Sequence, residues 1–430
     1  LSLHIKDGLL IEPAASTQRT ADLFLRDGKI IGIDQAPAGF QAAQTLHADG
    51  RWIMPGLIDC QARLRDPGQP EKANIESETA AAIKNGITTL CLPPDTQPAI
   101  DNSATVELIH HRNEMFGHRA HVYPIGALTR GLGGEQLSNM ASLRDNGCVA
   151  FSNAKFPLAS NLVQRRAMDY AAGQQSLVII QPLDHDLLGD GCAHEGAVAT
   201  RLGLPAIPEA AETAALAKDI ELMAQTGART HFGQLSCARS VDMIRRAKAK
   251  GLPISADCAI HQLFLTDHDI ANFDSSMFTI PPLRSQFDRD TLRAGVADGS
   301  IDCLCSDHQP HEVDAKLKPF PSAEPGISGL DTLLVLALRL VEEKVLPLAD
   351  AIAKLTSNPA AILGLPGGKI EVGAIADLIV VDPNTHWICQ ADNFISKGRN
   401  TAFEGWDFRG SVTHTLVAGE VVYERRGSGR

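Results

Sequence analysis

Gly56-Leu57-Ile58-Asp59 is a short apolar run, followed by a helical segment from Asn74 to Asn85 and a second apolar run, Thr88-Thr89-Leu90-Cys91-Leu92. Runs of this length on either side of a helix-forming stretch read as a β-α-β unit. Comparable runs recur at His121-Val122-Tyr123-Pro124-Ile125, Cys148-Val149-Ala150-Phe151-Ser152 and Leu177-Val178-Ile179-Ile180. Three more are Thr230-His231-Phe232-Gly233-Gln234-Leu235, Ile254-Ser255-Ala256-Asp257 and Ile301-Asp302-Cys303-Leu304-Cys305-Ser306. Helical segments at Ser138 to Asn146, Leu162 to Ala172, Pro208 to Gly227 and Ser240 to Lys250 separate most of them, and Gly329 to Glu343 and Leu348 to Leu355 follow the last. Eight strands with helical crossovers predict an α/β fold, a (β/α)8 TIM-type barrel over residues 54–364. In such a barrel, functional groups lie at the C-terminal ends of the strands, where the βα loops begin.

Outside this region the texture changes. Residues 1–53 alternate in short runs broken by Asp7-Gly8, Asp27-Gly28 and Asp49-Gly50, and Asp-Gly is a hairpin signal. Similar runs return at Ala376-Asp377-Leu378-Ile379-Val380-Val381 and Val412 to Tyr423, within residues 365–430. Each terminal piece is too small to hide an apolar face alone, so the two are expected to form one small β domain.

The 430-residue chain carries a net charge of -12, which argues against a general nucleic-acid surface. Arg245, Arg246, Lys248 and Lys250 read as the solvated face of a helix. No apolar stretch reaches the roughly 18 residues of a membrane span, and no basic flank marks a secretory signal. Nine scattered cysteines fit reduced, buried thiols, and the expected location is cytoplasmic. Cys303 and Cys305 point to one face of their strand, but no second Cys or His cluster has the spacing of a structural zinc site. Arg130-Gly131-Leu132-Gly133-Gly134 lacks the Gly-Lys-Ser or Gly-Lys-Thr ending of a phosphate loop, and Pro319 to Pro325 reads as a surface loop.

Several motifs in order, Pro55 to Asp59 with Arg65-Asp66-Pro67-Gly68, Pro98-Ala99-Ile100-Asp101-Asn102, Pro281-Pro282-Leu283-Arg284, Ser306-Asp307-His308-Gln309-Pro310-His311 and Gly326-Ile327-Ser328-Gly329-Leu330, resemble dihydroorotase of the amidohydrolase superfamily. The resemblance covers essentially the whole chain. It implies hydrolysis of a cyclic amide by water held on one or two zinc ions. The same resemblance places the ligands at strand ends, where this chain differs. Gln61 and Arg63 stand where two histidines are expected, Asn153 lies in a segment lacking the expected carboxylate, and Gln181 and Gln234 stand at two further histidine places. Asp307 alone keeps its type. Asp95 and Ile280 replace expected asparagines at substrate contacts, and Arg65 remains as a carboxylate clamp.

On this reading the mouth holds no metal, no cofactor and no catalytic residue, and Arg63 is expected to pair with Asp307 in the emptied centre. The resemblance then points to a non-catalytic dihydroorotase-like subunit. It implies assembly with the aspartate carbamoyltransferase catalytic chain, six copies of each, in pyrimidine biosynthesis. The competing expectation is an active cyclic-amide hydrolase, dihydroorotase-like or hydantoinase-like, with a displaced metal site. Such a site would draw on Asp307 with some of His231, His261, His308 and His311, although interior hydrogen bonding for the first two and turn stabilisation for the last two are the simpler readings. A third reading, motivated by Arg65, is a sensor that keeps a weak pocket ligand without chemistry.

Overall fold

Eight short parallel strands form the centre of the structure, a computed structural model that describes residues 2–15, 17–116 and 119–425. They are β1 (Leu57–Asp59), β2 (Ile87–Leu92), β3 (His121–Ala127), β4 (Ala150–Ser152), β5 (Val178–Ile180), β6 (Thr230–Phe232), β7 (Ile254–Ala259) and β8 (Cys303–Cys305). Each pairs with the next in chain order, as successive β-α-β crossovers dictate. At the mouth an isolated parallel bridge between Ala62 and His308, with Arg63 N donating to His308 O at 2.9 Å, ties the β1 end to the β8 end. This is the expected α/β barrel.

The apolar runs become strands because both faces are covered: helices pack outside and side chains fill the bore. Every residue of β2, including Thr88 and Thr89, is buried. Gly56 is required where the chain enters β1, since a Cβ there would lie 2.2 Å from Thr88 Oγ1. Local signals fix the crossover helices. Ile75–Lys84 starts on an Asn74 capping box with Ser77, and Ala210–Thr226 stops at Gly227 in the left-handed conformation. Three basic residues of helix Ala238–Ala249 meet acids at its surface: Arg245 with Asp298, Arg246 with Asp242, and Lys248 with Asp302.

Both chain ends build a second eight-stranded sheet. Trp52–Pro55 lies between Ser2–Glu12 and Leu378–Ile388, so the strand leading into the barrel also joins the two terminal segments. Its apolar face has its own core, including Leu3, Ile5, Leu10, Leu23, Ile53 and Leu378. The final stretch 426–430 of the segment assigned to this domain lies outside the described residues.

The segment Pro319 to Pro325 lies at the surface, with Pro319, Pro321 and Ser322 exposed, and is anchored by Phe320, which is buried against Phe278 with ring centroids 5.3 Å apart. Among the described residues no helix is long and apolar enough to cross a membrane.

Candidate active site

The β strands deliver two layers of polar side chains to the bore. The upper layer lies at the strand ends. Asp307, two residues past β8, receives Arg63 Nη1 at 3.3 Å, Gln309 Nε2 at 3.0 Å to each oxygen, and Gln234 Nε2. Arg63 also donates Nε to Asp95 Oδ2 at 2.7 Å. Burial raises the Asp95 carboxyl, but the Arg63 charge and hydrogen bond outweigh it and hold it below the usual carboxylate range. The same two carboxylates keep Arg63 charged against its burial.

Other sequence-singled residues have found different partners. Asn153 accepts from Thr129 Oγ1 at 2.7 Å and donates to Phe156 O at 3.1 Å. Ile280 presents its carbonyl to Lys155 Nζ at 2.7 Å, and burial pushes that amine down to about 8. Arg65 faces the loop after β8, with Nε on Pro310 O at 3.1 Å and Nη2 3.2 Å from His311 Nε2. Burial and the neighbouring Arg63 lower its guanidinium to about 10. Gln61 is half-buried beside this layer, and the Gln181 carboxamide is buried. Four non-glycine residues in the loops that follow the strands adopt left-handed backbone, Ala154 (φ 50°), Gln234 (φ 58°) and Asp307 (φ 46°) two residues past their strands and Arg65 (φ 60°) six past β1. Such conformations persist only where surrounding contacts enforce them, and they concentrate at functional sites.

The lower layer was not anticipated. Cys60, His231, Asp257 and Cys303 are all buried, and one donor atom from each lies within 4.8 Å of all the others. Cys60 follows β1, and the remaining three come from the adjacent strands β6, β7 and β8. His231 is fixed at both nitrogens, Nδ1 to Ser255 Oγ and Nε2 to Asp257 Oδ2, each at 2.8 Å. Asp257 Oδ2 is also 3.7 Å from Cys60 Sγ, and its Oδ1 is 3.4 Å from Cys305 Sγ. Hydrogen bonds from Cys303 and Cys305 lower the Cys60 thiol well below its ordinary value, with His231 acting in the same direction. The same contact with Cys60, together with burial, holds the Cys303 thiol well above its ordinary value, so Cys60 is the sulfur of the pair disposed toward the metal-binding thiolate form.

The two layers are linked through Gln234. Its backbone N–H donates to Asp257 Oδ1 at 2.7 Å, whereas its side chain reaches Asp307.

The layers differ in fitness for a metal. At the strand ends, the Arg63 guanidinium brings positive charge and no lone pair, and the glutamines are weak donors, so that position does not suit a divalent ion. The lower set combines two sulfurs, an imidazole and a carboxylate. Zinc takes this donor chemistry; tetrahedral bonds of about 2.0–2.3 Å place donors roughly 3.3–3.8 Å apart, so the 2.8 Å His231–Asp257 hydrogen bond would have to open for both to ligate.

This cluster corrects the expectation of a non-catalytic chain and the pseudoenzyme reading with it. That expectation rested on missing strand-end ligands, but a buried four-donor set is present one layer deeper. Of these four, sequence reading singles out His231 as a candidate for a displaced metal site, with Asp307 and not with Cys60 or Asp257, and considers Cys303 only beside Cys305. The available signal was the period of 2: His231, Asp257 and Cys303 project inward from neighbouring strands, and closure of the barrel brings Cys60 to them. His308 instead bonds Glu78 Oε2 at 2.8 Å and accepts from Gly329 N at 3.1 Å, securing its loop. His261 is buried near Asp307 and Lys155, and burial holds its imidazole down to about 4.

Comparison with known proteins agrees with this architecture. Residues 50–240 match a family model described as dihydro-orotase-like, and residues 318–423 match an amidohydrolase family model. A "Dihydroorotase-like protein" of Pseudomonas aeruginosa is 46% identical over 424 residues, covering 99% of this chain and 100% of the relative. A "Dihydroorotase" of Syntrophotalea carbinolica is 40% identical over 425 residues, covering 98% and 99%. The solved L-hydantoinase (dihydropyrimidinase) of Arthrobacter aurescens shares the fold, with a TM-score of 0.87 and 23% identity over 98% of this chain and 96% of that one.

Proposed function

The chain belongs to the dihydroorotase-like amidohydrolase family, and we propose that it hydrolyses a cyclic amide using a metal centre displaced from the strand ends into the bore. The observation that carries this reading is the buried grouping of Cys60, His231, Asp257 and Cys303. Held by three of these donors with the fourth position open, a metal would supply Lewis acidity toward a carbonyl and lower the pKa of water. The protein contributes the rest. The Cys60 thiol is held toward its anionic form, and the His231 ring is oriented by Ser255 and Asp257. Gln234 couples this centre to Asp307, whose carboxylate is positioned by Arg63 and Gln309 at the mouth. Lys155 and Arg65 add positive charge suited to an anionic ring.

Two measurements on the full chain test the proposal. Protein purified without chelator should contain zinc and open the ring of dihydroorotate or hydantoin, and Asp257→Asn should lose both properties. Failure of the zinc-replete protein to open either ring would refute the assignment. We also propose, from the resemblance, association with an aspartate carbamoyltransferase catalytic chain. Gentle co-purification from native extract should recover that chain, and its absence would count against the association.

A further inference from the structure

A cavity of about 200 Å³ lies away from the bore, in the seam between the barrel and the terminal β domain. It is walled by the end of helix Ile75–Lys84, the approach to helix Leu333–Glu342, and strands Leu378–Ile388, Asp407–Val417 and Glu420–Glu424 of the terminal sheet. None of its residues belongs to either polar layer. Trp387, Phe394 and Tyr423 give it aromatic walls. Trp387 Nε1 already donates to Gly410 O at 3.0 Å, so the polar atom of that ring is satisfied by the protein.

Two charged side chains stand at the same wall. Lys84 Nζ donates to Asn393 O at 2.7 Å and lies 3.6 Å from Asp331 Oδ1. Asp331 is 4% exposed, and its Oδ2 has no hydrogen-bond partner among the described residues. Burial raises its carboxyl, opposed by the Lys84 charge and by Asn85. The gap between Nζ and Oδ1 is too long for a direct hydrogen bond, yet an oxygen beside it can lie about 2.8 Å from both atoms.

These features select a ligand. An ammonium group brought to the gap would meet Lys84 and a carboxylate would meet Asp331, so charge of either sign is disfavoured there. A hydroxyl accepts from the amine and donates to the carboxylate. Arg425, the other cation at the wall, is exposed, and solvent screens it. An apolar cavity of about 150 Å³ can hold benzene, so one ring fits here, and aromatic walls favour an aromatic one. We propose that the cavity binds an uncharged, single-ring hydroxyaromatic molecule, its hydroxyl bridging Lys84 Nζ and Asp331 Oδ1 and its ring packed among Trp387, Phe394 and Tyr423. Binding at this seam does not depend on the hydrolase reading.

Calorimetric titration of the full chain with 4-methylphenol, toluene, benzoate and benzylamine tests the site. 4-Methylphenol should bind saturably, about tenfold or more tightly than toluene, which fills similar space but leaves both charged groups unbridged. Benzoate and benzylamine should bind more weakly than 4-methylphenol. Absence of saturable 4-methylphenol binding, as expected if ordered water alone bridges the pair, would overturn the proposal. So would equal affinity for toluene, or tighter binding of either charged ring. Lys84→Met should bring 4-methylphenol and toluene within about threefold of each other, whereas Lys84→Arg keeps a cationic donor and should retain the preference. An undiminished preference in Lys84→Met would overturn the assignment. The wild-type chain gives a second readout: saturating 4-methylphenol should slow reductive methylation of Lys84 and leave exposed Lys250 unaffected. Equal labelling of Lys84 with and without 4-methylphenol would overturn the proposal.

Discussion

Replacing Arg63 with Met tests the electrostatics of the upper layer because it removes the cation and keeps much of the side-chain bulk. Arg63 and Asp307 are 5% and 2% exposed, and Asp95 is 16% exposed, so both carboxylates depend on this guanidinium more than on solvent. Removing one member of a buried ion pair typically costs about 3–5 kcal/mol. Asp307 would retain its bonds from Gln234 and Gln309, and Asp95 would gain some water, which places the expected loss near the lower limit, about 3 kcal/mol. Urea unfolding followed by circular dichroism should show this loss at pH 7. It should shrink toward acid. The folded-state pKa of Asp95 is depressed, so its stabilising contribution is present above the unfolded value and disappears as pH falls through the folded one. Adding Asp95→Asn and Asp307→Asn to Arg63→Met should recover more than half of the loss. A loss below about 0.5 kcal/mol for Arg63→Met, or one unchanged at acid pH, would refute the reasoning.

Two other titrations follow from burial. His261 is held down to about 4, so the unfolded chain binds its proton first, and stability should fall as pH drops from about 6.5 toward 4, by about 3 kcal/mol from this group. His261→Gln should flatten that acid limb, and an unaltered limb would contradict the assignment. Lys155 is lowered to about 8, so its neutral amine should appear near that pH, and its contribution to stability should improve as pH rises from about 8 toward 10.5. Competitive acylation resolved by mass spectrometry should give a Lys155 midpoint near 8, whereas a midpoint above 10 would contradict the burial argument.

The barrel was legible because a two-sided strand must be apolar throughout, and runs such as Thr88 to Leu92 and Leu177 to Ile180 keep their type between helix-forming stretches. The union of the two terminal β segments followed from the size of their cores, although nothing in the sequence specified Trp52–Pro55 as their shared strand. At the site, charge matching identified the Arg63–Asp307 pair. The lower layer escaped because its donors are separated by long crossovers, as between Cys60 and His231. Their proximity comes from barrel closure, which no local motif encodes. Asp257 shows this most clearly: in the sequence it is only the last residue of a strand run, yet His231, Cys60, Cys305 and the Gln234 backbone all converge on it.

Zinc content and coordination are the most direct measure of the displaced centre. X-ray absorption at the zinc edge, on full-length protein purified without chelator, should report about one zinc per chain with two sulfur ligands near 2.3 Å and nitrogen or oxygen ligands near 2.0 Å. Cys60→Ser should leave one sulfur ligand or abolish binding. Zinc with only nitrogen and oxygen neighbours, insensitive to Cys60→Ser and lost in Asp307→Ala, would place the metal at the strand ends and contradict the account.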